Sequence, residues 1–516
     1  MDTAGLRTPE ITRRDFLKLA GASLAVLGLS QVLTPQAAKA VEEYAGKSSK
    51  VREKPNVLWI VMDTVRADHL SCYSHHRNTT PNIDRIASEG ALFQKAFATA
   101  PWTQPSHASM FTGMFPAKHG VDSEHGRLDG RFRTIAEVLR SHGYQAFAYT
   151  NNVTVDPEMA QGFDIYERLN RGLSETPERR RNPKASLGLA DFLKINDARR
   201  YAQNLLLMDD GAYRTNQVVK RWIADAHQAE TPFFVFINYM EPHRPYKRLP
   251  APYATLYQDE NVNLADVQKL ASGILKNPTA YIARRTQVSD EDFRILRDLY
   301  DGEISYLDFR MGQLFDYLKE LEVLDNTVLI ITSDHGENFG EHGLMGHSLC
   351  VYDTLLHVPL VVRFPASFEA GARVDEQVQL TDIFPTILDI TGIEWEGRKD
   401  LQGHSLLKDR RQSDSRFTIA EHGIWLKVLD TLKRKNPKFD ASIYARRLKA
   451  VRTEQFKYVW ASDGRDELYD IYRDPKELNN LIETQPEKAR ELKALLVDWL
   501  DSFETYRPGV AQEVAR

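Results

Sequence analysis

Four short runs of the chain are apolar nearly throughout and stop abruptly at polar groups. They are "NVLWIVM" before Asp63, "QAFAYT" before Asn151 and Asn152, "FFVFINYM" before Glu241 and "TVLIITS" before Asp334. A run without alternation suits a strand covered on both faces, and between these runs lie segments with apolar residues at helical spacing. The pattern predicts an α/β fold with a mainly parallel sheet flanked by helices. Ligands of such sheets sit beyond the carboxyl ends of the strands, so four strands ending in polar residues predict one site.

The remaining texture divides the chain. "EDFRILRDLYDGEISYLDFRMGQLFDYLKELEVL" predicts one long amphipathic helix leading into the Asp334 strand, and "QLTDIFPTILDITGI" a shorter one. Two polar stretches, at about 168–200 with "ERRRNPK" and about 251–290, read as insertions, the first a solvated face and the second irregular cover near the site. The principal domain is expected over 55–394. From about residue 395 onward, "FTIAEH", "KAVRT", "FKYVWAS" and "DELYDI" followed by "KARELKALLVDWLDSF" predict a small α+β subdomain over 395–516.

At the N-terminus, "TRRDFLK" precedes a short apolar run and then "AKA" at Ala38–Ala40. This order resembles a twin-arginine export signal cut after Ala40, with a linker over 41–54. The resemblance implies a bacterial periplasmic or secreted protein, handed in folded form to the twin-arginine machinery and left without a stable membrane span. No later stretch reaches the length of a span. The net charge of −5 gives no overall attraction to nucleic acid, so an anionic substrate needs a local site. The two cysteines, Cys72 and Cys350, are too few for a disulfide framework or zinc cage and read as buried small hydrophobes, with pairing left open.

Asp63, Asp334 and His335 offer two carboxylates and an imidazole from strand ends, a plausible set for one divalent metal, whether Mn, Zn, Ca or Mg. Taken singly, either aspartate would serve as a turn former. Thr103 in "APWTQPSHASMFTG" stands where a helix begins, with Pro105 suited to its first turn and Ser106 to an early amide. A hydroxyl beside a divalent cation loses its proton more readily, which would make Thr103 a nucleophile and not only a cap.

With these residues in place, the chain resembles the sulfatase family of the alkaline-phosphatase superfamily. The likeness runs from about Pro55 to Leu481 through "PNVLWIVMDTVRADHLSCY", "RNTTPNIDRIASEG", "APWTQPSHASMFTGMFPAKHGV", "EPHRPY", "TVLIITSDHGE", "GEHGLMGHS" and "ELYDIYRDPKELNNL". It implies a metal-dependent esterase with a large, mainly parallel mixed sheet flanked by helices and a small C-terminal sheet, with Asp63, Thr103, Asp334 and His335 at the metal, Thr103 as nucleophile, and His243 and His347 contacting the ester or protonating the leaving group. Asn151 or Asn152 could offer amide donors, and Asn152, Ser106 and His107 are expected to hold the substrate.

Several positions depart from the family pattern. Thr103 stands where the family has the cysteine or serine oxidised to formylglycine, so no formylglycine is expected. His107 replaces the motif's arginine, Thr64 a second aspartate, and "AYTNNVTV" a segment whose lysine and histidine hold sulfate. A threonyl intermediate must be cleared by direct attack on phosphorus or sulfur, or by transfer to another acceptor. That favours phosphate mono- or diesters over sulfate, on a small-molecule, glycan or lipid-derived anionic ester. A sulfatase working without formylglycine and a non-catalytic exported binding protein are the alternatives. His75, His76 and His119 read as structural, and Glu341 with His342 as an outside choice for a second metal.

Overall fold

The computed structural model describes residues 54–155, 159–169, 209–246, 249–250, 253–407 and 416–516. The export segment with its cut after Ala40, the linker up to Glu53 and most of the 168–200 insertion lie outside these residues. Among them, no helix is long and apolar enough to cross a membrane.

The strands in chain order are β1 (Asn56–Met62), β2 (Ala91–Phe97), β3 (Gln145–Thr150), β4 (Ile165–Arg168), β5 (Phe233–Tyr239), β6 (Thr327–Thr332), the two-residue pair β7 (Asn338–Phe339) and β8 (Met345–Gly346), then β9 (His357–Val358), β10 (Leu360–Arg363) and β11 (Ala372–Gln379). Nine of them form one sheet, ordered β11-β2-β10-β6-β1-β5-β3-β4 with β9 beside β2. The four strands expected from sequence are contiguous at its centre and mutually parallel. β10 runs antiparallel between β6 and β2, which makes the sheet mixed.

Burial on both faces explains the unbroken apolar runs. Leu58, Ile60 and Met62 enter one core with Val235, Ile237, Leu329 and Ile331. Val57, Trp59 and Val61 enter the other with Phe234, Phe236, Val328 and Ile330. Adjacent residues point to opposite faces, so each strand supplies both cores. The helix Asp290–Glu320, opened by a Ser289–Asp292 capping box, covers the first face. The helix Thr103–Thr112 lies on the second, through Met110 and Phe111.

The stretch expected to be irregular cover at 251–290 instead carries helices at Leu264–Ile274 and Pro278–Ile282. Val267, Ala271 and Ile274, at helical spacing, bury into the core beneath. The C-terminal subdomain is an antiparallel sheet of β12 (Thr418–His422), β13 (Leu448–Arg452), β14 (Phe456–Ala461) and β15 (Glu467–Asp470). Ala489, Leu492, Leu496 and Leu500 of the helix Pro486–Asp501 pack onto it.

Candidate active site

Strand register brings the two aspartates together. Val61 pairs with Thr332 between the parallel β1 and β6, and both chains leave the sheet two residues later at Asp63 and Asp334. Thr64 then turns the chain with φ 64°, a conformation a β-branched residue adopts only when its surroundings hold it there. Its amide donates to Asp334 Oδ1 at 3.2 Å, and its hydroxyl lies 3.0 Å from the Pro242 carbonyl. Thr64 therefore locks the two strand ends and the 241–246 loop together.

Asp63, Asp334 and His335 have ligand atoms within 4.8 Å of one another, and all three side chains are wholly buried. Asp63 Oδ1 and Asp334 Oδ2 have no hydrogen-bond partner among the described residues. His335 Nδ1 donates to the Gly336 carbonyl at 3.0 Å, which leaves its Nε2 as a lone pair, 3.3 Å from Asp334 Oδ2. Two orphaned carboxylate oxygens and a bare imidazole nitrogen repel one another, and a divalent cation would satisfy all three. The donor set fits such an ion.

The same charges appear in the titration. Burial pushes Asp334 well above the usual carboxylate range, reinforced by the charge of Asp63. Asp63 is also pushed up by burial, but the fields of His243 and His335 and the Asn152 hydrogen bond outweigh this and hold it below its ordinary value. Burial lowers His335, His243 and His347.

Thr103 sits at the first turn of its helix, 5 % exposed, with its Oγ1 3.3 Å from both His335 Nε2 and Asn152 Nδ2. Asn152 Nδ2 also donates to Asp63 Oδ2 at 2.7 Å, so it ties the threonine to the carboxylate. Asn151 turns away to Thr215. The helix is seated from below: Ser106 Oγ donates to the Asp334 carbonyl at 2.7 Å, and His107 Nδ1 donates to the Thr103 carbonyl at 2.9 Å. Both residues are fully buried, and burial lowers His107 to about 4. Their hydrogen bonds go to the backbone of Asp334 and Thr103, and His107 Nε2 has no hydrogen-bond partner among the described residues.

His347 and His243 continue the cluster from His335, with ring centroids 4.7 Å from His335 to His347 and 5.0 Å from His347 to His243. His347 Nδ1 is 2.9 Å from Glu337 Oε2, whereas His243 Nδ1 donates to the neutral Arg244 carbonyl at 2.7 Å. In each case Nε2 is the nitrogen left for other work.

Glu241, expected at this site from the end of β5, is elsewhere. It accepts from the Ala212 amide, and burial together with Asp209 and Asp210 pushes it well up. β5 instead contributes Asn238, whose Nδ2 reaches Asp63 Oδ2 at 3.2 Å. The outside choice of a second metal also finds other partners: Glu341 pairs with Arg66 at 2.7 Å and His342 stacks on Tyr352 at 3.8 Å. His75 bonds to Asp301 and His119 to Ser109. Cys72 and Cys350 are free and buried.

The model of the family described as Sulfatase matches residues 55–393, and that described as N-sulphoglucosamine sulphohydrolase, C-terminal, matches 340–504. The N-acetylglucosamine-6-O-sulfatase of Bacteroides thetaiotaomicron is 25% identical, over 94% of this chain and 93% of its own. The arylsulfatase of Clostridium perfringens is also 25% identical, over 87% and 95%. The crystal structure of a phosphonate monoester hydrolase of Agrobacterium radiobacter shares the fold at TM-score 0.66 and 24% identity, over 87% of this chain and 96% of that one. A family match spanning the whole of the principal sheet, with relatives aligned nearly end to end, places the chain in the sulfatase family of ester hydrolases.

Proposed function

We propose that the chain hydrolyses a phosphate or sulfate ester through Thr103, phosphate mono- or diesters being favoured. One observation carries the reading: the Thr103 hydroxyl lies 3.3 Å from both His335 Nε2 and Asn152 Nδ2, beside two unneutralised aspartates. Asp63, Asp334, His335 and Thr103 Oγ1 would hold one divalent ion, which supplies Lewis acidity and favours the deprotonated hydroxyl. Thr103 Oγ1 forms a bond to phosphorus or sulfur as the bond to the departing alkoxide breaks. Asn152 Nδ2 stands beside the reacting oxygen and holds Asp63 in place.

His347, whose Nδ1 is 2.9 Å from Glu337 Oε2, or His243, whose Nδ1 donates to the Arg244 carbonyl, protonates the departing alkoxide through Nε2. Water then attacks the threonyl ester, releasing the acid and restoring the hydroxyl. In this scheme Ser106 and His107 position the helix and the Asp334 strand. The substrate is an anionic ester of a small molecule, a glycan or a lipid-derived group, met in the periplasm or outside the cell after twin-arginine export.

Sulfate ester hydrolysis without formylglycine is the second reading, favoured by the names of the aligned relatives. Metal-loaded protein assayed on nitrophenyl sulfate, nitrophenyl phosphate and bis-nitrophenyl phosphate separates the two. Faster turnover of either phosphate is the expected result. Turnover of the sulfate alone transfers the conclusion to the second reading, and inactivity on all three opposes hydrolysis through Thr103.

A further inference from the structure

Arg244 follows His243 in the loop after β5 and has no role in the chemistry above. Its Nε is buried without a hydrogen-bond partner among the described residues, and its Nη1 makes one long contact, 3.4 Å from the Leu275 carbonyl at the end of the helix Leu264–Ile274. A guanidinium carries five donors in a fixed fork; Arg244 is half-buried, and its Nε is the donor left unpaired away from water, which is unfavourable. The group lies across the Gly346–His347 turn: a methyl built on Gly346 would come within 3.7 Å of Arg244 Nε, 3.9 Å of Nη2 and 3.5 Å of Glu337 Oε1. Burial raises the Glu337 carboxyl and the nearby Arg244 charge lowers it, but no hydrogen bond joins the two among the described residues, and Glu337 Oε2 lies 2.9 Å from His347 Nδ1.

Arg244 thus lies beside the turn that carries His347, next in the chain to His243 and against the helical cover. We infer that Arg244 forms a second anion subsite, which grips an oxyanion, carboxylate or sulfonate-like, on the alcohol part of the substrate. The inference rests on the hydrolase reading above and adds to it the class of leaving group. An arginine fork matches either oxyanion through two parallel N–H bonds.

The test compares kcat/KM for phenyl phosphate, 3-carboxyphenyl phosphate, 3-sulfophenyl phosphate and 3-(aminomethyl)phenyl phosphate. A charge-assisted contact of this kind gives the parent a preference of about 10- to 100-fold for one or both anionic esters over phenyl phosphate. In Arg244→Met that ratio falls towards one, Arg244→Lys recovers part of it, and Arg244→Glu turns the preference to the aminomethyl ester. A merely structural arginine would not invert selectivity. A parent without preference, or a ratio unchanged in Arg244→Met, overturns the inference. Should every ester go unhydrolysed, the hydrolase reading falls by itself. Calorimetric binding of 3-carboxyphenyl phosphate against phenyl phosphate, in parent and Arg244→Met, then decides the subsite separately.

Discussion

Replacing Thr103 by alanine removes one hydroxyl and one methyl from a side chain that is 5 % exposed. The lost methyl costs about 1 kcal/mol of stability and the lost hydrogen bonding about 1 more. Asn152 keeps its 2.7 Å bond to Asp63, so no donor is stranded. About 2 kcal/mol is small against a typical stability of about 5–15, and the variant should fold. Turnover should fall by a factor on the order of 10⁴ to 10⁶, as for other covalent nucleophiles, equivalent to about 5–8 kcal/mol in the barrier. Thr103→Ser retains the oxygen and should retain most of the rate. The assay is a rapid-quench single turnover with intact mass, which reports a phosphoryl or sulfuryl adduct on the parent and none on the alanine variant. A folded, metal-loaded Thr103→Ala that turns over as fast as the parent would refute the assignment.

Asp334→Asn should raise the melting temperature of chelator-treated protein while lowering that of metal-loaded protein. It relieves the repulsion between two buried carboxylates but removes a ligand, and scanning calorimetry in both conditions reads the sign. Asp301, almost fully buried, takes His69 at 2.6 Å, His75 at 3.0 Å and Arg77 at 2.7 Å, so Asp301→Asn should cost about 3–5 kcal/mol in urea unfolding. Burial raises the Asp301 carboxyl, but the His69 and His75 hydrogen bonds and charges outweigh this and hold it far below its ordinary value. Its contribution is therefore present above the unfolded pKa of about 4 and is lost as pH falls through the folded value. His119 accepts the Val121 amide at Nδ1, 3.1 Å away, so Nε2 carries its proton to Ser109, and burial lowers its pKa to about 3. The folded state favours the neutral ring: stability is full above pH about 6.5 and declines by about 5 kcal/mol as pH drops towards 3, a slope that should be absent in His119→Gln.

The central sheet was legible because a strand buried on both faces leaves an uninterrupted apolar run, and four such runs became four adjacent strands. β2 and β11 were harder to see, since Gln94 and Lys95 in one and Asp375 and Glu376 in the other break the run where the strand reaches solvent. The helices at 264–282 present few buried positions per turn, and their polar surface resembles that of a loop. Asn238 was hidden inside its own strand. It shares the face of Phe234 and Phe236, and only the β1–β5 register, Val61 against Asn238, brings that face level with Asp63.

This contrast has a physical origin. Asp63, Asp334 and His335 follow directly from strands whose register is fixed by two buried faces, so one slipped residue would expose an entire apolar set. Thr103 is held as firmly, by Ser106 and His107 beneath it. Asn152, Arg244 and His347 sit instead on connections past the strand ends, where spacing along the chain carries no information about position. A fold of this kind can therefore conserve the centre that attacks the ester while the loop residues that select the alcohol vary. The guanidinium of Arg244, held by one long contact to the Leu275 carbonyl, belongs to that loop layer, and the selectivity of the enzyme should be altered there without disturbing the aspartates.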